Sequence, residues 1–183
     1  QALADAFEEA FAAELENLVV GNPLEEKTDV GPLARADLVD ELEDQVKRTV
    51  QAGGRLVTGG RRLDGPGCFY APTLLSDVSS SMPAGSEETF GPVAALLRAG
   101  SQGEAVALAN RSDYGLGASV WSADPERAER LAPRIDAGCV FVNGMVKSDP
   151  RLPFGGVKLS GYGRELADFG IREFVNVKTV VVE

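Results

Sequence analysis

The 183-residue chain has no histidine and only two cysteines, Cys68 and Cys139. Those scarcities remove Ser-His-Asp triads, Cys-His nucleophile pairs and histidine-ligated metal from anything the chain builds by itself. Aromatic residues make up 7%, and no basic stripe with interleaved rings is present, so no nucleic-acid partner is expected. No apolar run approaches the roughly 18 to 20 residues that span a bilayer, and no basic-then-apolar leader precedes the first helical pattern. The expectation is a cytoplasmic protein with no membrane partner, its two thiols reduced.

Basic residues are also scarce where the chain starts. Residues 1–45 carry thirteen acids against two bases, so the net charge of -10 lies there and the remaining residues sit near +1. The acidity belongs to two helices, not to a site, and an acidic face repels nucleic acid and anionic membrane.

What the chain does have is 44% hydrophobic residues, enough for the core of one domain of ordinary size. Leu3, Phe7, Phe11, Leu15 and Leu18 recur every three or four residues, which predicts a helix over 2–19. That helix is already under way at Gln1 with no cap and no initiator methionine, which predicts that the natural chain continues upstream. Val39, Leu42, Val46 and Val50 predict a second helix over 33–52, stopped by Gly53-Gly54.

RLVTGG, TLLSDV, PVAALLRAG, GASVWS and CVFVN read as strands. Between them, Ser101 with Glu104 opens a helix through Arg111, and Asp124-Pro125 opens one ending near Ile135. A helix over 165–172 and a last strand reaching Val182 complete the order. Helices alternating with apolar strands predict an α/β fold with a largely parallel open sheet, in one domain.

Several motifs admit two readings. The glycines of GGVKLSGYGRE do not make a dinucleotide fingerprint, because GYGREL lacks a third glycine and follows no strand directly. AGGRLVTGGRRLDGPG lacks the Lys-Ser/Thr ending of a phosphate loop and reads as turn chemistry. Neither cysteine has a base nearby, so both read as small core hydrophobes. In EETFGPV, Glu87 and Glu88 point into solvent above a core-plugging Phe90, or else the acids and the ring face a ligand. In LPFGGVKLSGYGRE, Phe154 anchors a tight loop or lines a site.

Taken together, EETFGPV, ANRSDYGLGASVW, AGCVFVN and PFGGVKLSGYGRE, in this order and spacing, resemble the C-terminal half of an aldehyde dehydrogenase. VGNPLEEKTDVGPL and FYAPTLL fit the same pattern, so the resemblance runs nearly end to end. It implies cysteine-thiolate attack on an aldehyde, hydride transfer to NAD or NADP, and hydrolysis of the thioester by an activated water. It also implies that the nucleophilic cysteine, the general base and the cofactor domain lie upstream, so that no catalytic residue is found in residues 1–183 and the chain alone is inactive.

By motif position the resemblance makes Glu88 an acceptor for the nicotinamide-ribose hydroxyls and sets Phe90 against the nicotinamide ring. Phe154 lines the aldehyde channel. Ser148, six residues before it, resembles the succinate-semialdehyde branch, where a serine holds the substrate's distal carboxylate. Lys147 and Arg151 either add positive charge there or are solvated, and Glu165 either orders Arg164 and its loop or relays protons. Residues 174–183 correspond to a strand that supports a homodimer or homotetramer. The competing expectation is a standalone C-terminal module that keeps the fold for oligomerisation or partner binding.

Overall fold

The computed structural model describes residues 3–183. It is an α/β fold whose residues form two compact units, one up to Ser101 and one from Gln102 on, where one domain was expected. The division falls between a strand and the helix after it without any linker, so composition does not mark it.

In the first unit, helix α1 (Ala4–Asn17) has no buried residue. Charge holds it instead. The Glu8 carboxylate accepts hydrogen bonds from Ser76, from Arg55 at 2.7 Å and from Arg98 at 2.8 Å, and Arg98 also reaches Asp5 at 2.6 Å. Helix α2 (Ala36–Gln51) does the opposite and buries Val39, Leu42 and Val46. These pack with Tyr70, Leu75 and Val78 as the core. Gly53 ends the helix at φ +106°, a conformation that favours glycine.

Strand β1 (Arg55–Thr58) runs antiparallel to β2 (Thr73–Ser76), which runs parallel to β3 (Val93–Ala95). Every residue of the central β2 is buried. The β2–β3 crossover carries a single helical turn, α3 (Pro83–Ser86), and then the EETFGPV loop. The nine-residue strand expected over 92–100 is only three residues long. Beyond Ala95, Leu96 N donates to Leu75 O at 2.8 Å and Val78 N donates to Leu96 O at 3.3 Å.

In the second unit, α4 (Gln102–Ala109) precedes β4 (Tyr114–Gly115) and β5 (Gly117–Val120). Helix α5 (Pro125–Leu131) starts as its residues require: Asp124 Oδ1 accepts from Arg127 N at 3.0 Å, with Pro125 in the first turn. It carries the chain to β6 (Cys139–Val142), which pairs parallel with β5. β7 (Val157–Lys158) pairs antiparallel with β4.

Helix α6 (Ala167–Arg172) is shorter than expected, because Glu165 pairs instead with Phe154. Residues 174–183, expected as a strand, form no ladder among the described residues, and Phe174, Val177 and Val182 are each at least 90% exposed. Among the described residues two of the four ladders, β2–β3 and β5–β6, are parallel, and helices lie between the strands that they join.

Candidate functional site

The EETFGPV loop is fastened to α2 by side chains. Gln45, 3% exposed on the core-facing side of α2, directs its amide nitrogen to Glu87 Oε2 at 3.1 Å and to the Glu88 carbonyl at 3.0 Å. Arg48 forks onto the Glu87 carboxylate with two bonds of 2.8 Å and is itself steadied by Asp44 at 2.6 Å. Thr49 Oγ1 accepts from Ala84 N at 2.9 Å and donates to Gln45 O at 2.7 Å. The Arg48 guanidinium, helped by Gln45, holds the Glu87 carboxyl below its ordinary range. Glu87 is thus paired with α2, which corrects its reading as a solvated acid.

The next acid behaves differently. Glu88 is exposed, and its carboxylate makes no hydrogen bond or ion pair among the described residues. Phe90 is 66% exposed and does not plug the core. It is the neighbouring Gly91 that packs on the core residue Leu42, where an added Cβ would lie 2.5 Å from Leu42 Cδ2. The Phe90 ring instead borders an open hollow of about 330 Å³ with Pro32, Leu33 and Leu38. A fixed backbone therefore presents one uncommitted carboxylate and one bare ring, two residues apart.

In the second unit the site residues follow β6. Asn143 takes φ +50°, and its side-chain amide clamps Ser122, accepting from Ser122 N at 2.8 Å and donating to Ser122 O at 2.9 Å. That turn launches the loop carrying Ser148 and Phe154. A hollow of about 460 Å³ runs along β6, lined by Cys139, Phe141, Lys147, Asp149, Leu152 and Phe154 among others. Ser148 is exposed, between two residues that line it.

Asp149 forks with Arg151 at 2.9 and 2.6 Å, which lowers the Asp149 pKa and neutralises the Arg151 charge. Of the two cations considered from the sequence, Lys147 is the one that lines the hollow.

Phe154 is fixed through its backbone: its N–H donates to Glu165 O at 2.9 Å and its carbonyl accepts from Glu165 N at 2.7 Å. Gly155 and Gly138 touch backbone to backbone, and a Cβ on Gly138 would stand 1.7 Å from Gly155 O. Arg164 donates to the carbonyls of Gly156 at 2.7 Å and Gly163 at 2.6 Å. Both cysteines fit structural roles: burial pushes the Cys139 thiol up, its Sγ lies 3.3 Å from Leu116 O, and Cys68 packs on the core.

Glu88 and Phe90 share one loop of the first unit, and Ser148 and Phe154 share one loop of the second. The residues that sequence reasoning missed are Gln45, Arg48 and Asp149. Gln45 had a signal: it is a polar residue beside the apolar stripe of α2, and such a residue is retained at depth only when it is hydrogen-bonded.

A model of the aldehyde dehydrogenase family matches residues 1–180. A succinate-semialdehyde dehydrogenase (NADP+) from Mycolicibacterium paratuberculosis is 49% identical over 176 residues, covering 96% of this chain and 37% of its own length. A probable succinate-semialdehyde dehydrogenase (NADP+) from Synechocystis is 48% identical over 178 residues, 97% of this chain and 39% of its own. The crystal structure of succinic semialdehyde dehydrogenase from Streptococcus pyogenes, in complex with NADP+ as the cofactor, superposes with a TM-score of 0.95 at 36% identity. It covers all of this chain and 40% of that one. The chain thus spans about two fifths of the length of the curated relatives it matches.

Proposed function

The chain belongs to the aldehyde dehydrogenase family, and from that premise we propose that the whole protein oxidises succinate semialdehyde to the carboxylate with NAD or NADP as oxidant. The observation that carries this reading is the 48–49% identity, over nearly all of this chain, to succinate-semialdehyde dehydrogenases. Those relatives are named for NADP+, which favours NADP.

The residues present fit such a cofactor. A carboxylate can accept from both hydroxyls of a ribose, and Glu88 has no competing partner. Phe90 offers an exposed ring to a flat heterocycle. Bound there, the nicotinamide would supply the hydride acceptor. Glu88 orients the sugar, Phe90 covers one face and excludes water, and Phe154 provides an apolar wall for the aldehyde. Ser148 donates its hydroxyl to the substrate's distal carboxylate.

The nucleophile and general base are assigned to the part of the protein outside this chain, since Cys68 packs on the core and the Cys139 thiol, pushed up by burial, lies against Leu116 O. Residues 174–183 are assigned to pairing between copies in a dimer or tetramer, their exposed valines being suited to an added strand.

The test is an assay of the full-length protein with succinate semialdehyde and with an uncharged aldehyde of equal length, each with NADP+ and NAD+. Preferred turnover of the semialdehyde by the full-length protein, with none by residues 1–183 alone, is the expected result. A full-length protein inert toward both aldehydes would leave the chain as a module for assembly or partner binding.

A further inference from the structure

Between Glu88 and the core of the first unit stands a set of contacts that the proposed reaction does not itself require. Gln45, Arg48 and Thr49 lie along one side of α2, and each bonds to the segment 84–88. The helix beneath them is immobilised by Val39, Leu42 and Val46 in the core. Glu87 gathers three of these bonds on its carboxylate, two from Arg48 and one from Gln45, while the same Gln45 nitrogen holds the Glu88 carbonyl. Each of these anchors from α2 thus falls at or just before Glu88, and none of them uses its carboxylate.

We infer that Glu87, with Arg48 and Gln45, is a positioning device: its carboxylate is the tether that fixes the backbone from which Glu88 and Phe90 face the cofactor. The inference rests on the cofactor reading of Glu88. The physical reason is pre-organisation. An exposed loop left untied samples many backbone states, and each must be given up when a ligand binds. A forked guanidinium–carboxylate pair removes that freedom beforehand and sets direction as well as distance.

The Arg48–Glu87 pair leaves both side chains 41% exposed, and pairs so exposed add little to folding stability. Its loss should therefore show in the geometry presented to the cofactor, not in the stability of the unit.

The test is steady-state kinetics on the full-length enzyme with the nicotinamide cofactor and the aldehyde varied separately. Glu87→Gln and Arg48→Met should each raise the cofactor KM about tenfold, within the roughly hundredfold that a misplacement of about 1 Å can cost. The aldehyde KM and the melting midpoint should stay at wild-type values. Because both variants break the same contact, the double variant should be no worse than either single one.

If Glu88→Gln raises the cofactor KM while Glu87→Gln and Arg48→Met leave it unchanged, the tether is overturned and the reading of Glu88 stands. A wild-type cofactor KM in Glu88→Gln overturns both. A lowered melting midpoint with both KM values raised together would make the contact structural and overturn the inference as well.

Discussion

At the scale of single residues, neighbours in sequence have been given unlike tasks. Glu87 spends its charge on α2, whereas Glu88 keeps its carboxylate uncommitted. Spacing alone could not separate them, because the difference lies in Gln45 and Arg48, some forty residues earlier. The exposure of Phe90 was equally illegible, since a lone ring beside a Gly-Pro corner is compatible with either an inward or an outward side chain. The charge near Ser148 was legible as residue types, but its balance was not: Arg151 is paired with Asp149 and Lys147 lines the hollow. In the full-length enzyme, Ser148→Ala should raise KM for a carboxylate-bearing semialdehyde about tenfold or more, the effect of one lost charge-assisted hydrogen bond. It should leave KM for an uncharged aldehyde unchanged, and equal effects on the two substrates would remove Ser148 from carboxylate recognition.

At the scale of elements, the apolar stripe of α2 and the Asp124-Pro125 start of α5 were readable because each reports a local cause, burial of one face or a capped first turn. Helix α1 was readable as a helix, but its attachment was not. Its apolar residues Leu3 and Phe7 stay 79% and 55% exposed, and Glu8 makes the hold. The hydrogen bond from Ser76, then that from Arg55, brings the Glu8 pKa from 4.5 to about 2. A carboxyl lowered on folding contributes its full stabilisation above pH 4.5 and loses it as pH falls toward about 2. Protection of the α1 amides, taken relative to their intrinsic exchange rate at each pH, should accordingly fall across that acid window before that of the α2 amides. In Glu8→Gln, α1 should already exchange faster at neutral pH, and that excess should not grow across the window. Protection in α1 that ignores both the acid and the substitution would show that the helix is held some other way.

At the scale of the whole molecule, the family was legible from several spaced motifs, while the division at Ser101 was not, for it has neither linker nor shift in composition. The segment 174–183 was expected as a strand, yet it forms none among the described residues. Removing residues 174–183 from the full-length protein should lower its assembly state in light scattering, and an unchanged mass would exclude the segment from assembly. The division at Ser101 also bears on how the chain is made. All three strands of the first sheet, and the helix that covers its core, lie before residue 96. On the ribosome that sheet can close while residues 102 onward are still being added, as units that complete their contacts early do. The Glu87 tether lies wholly within this unit, so the backbone bearing Glu88 can be set while the second unit is still being made.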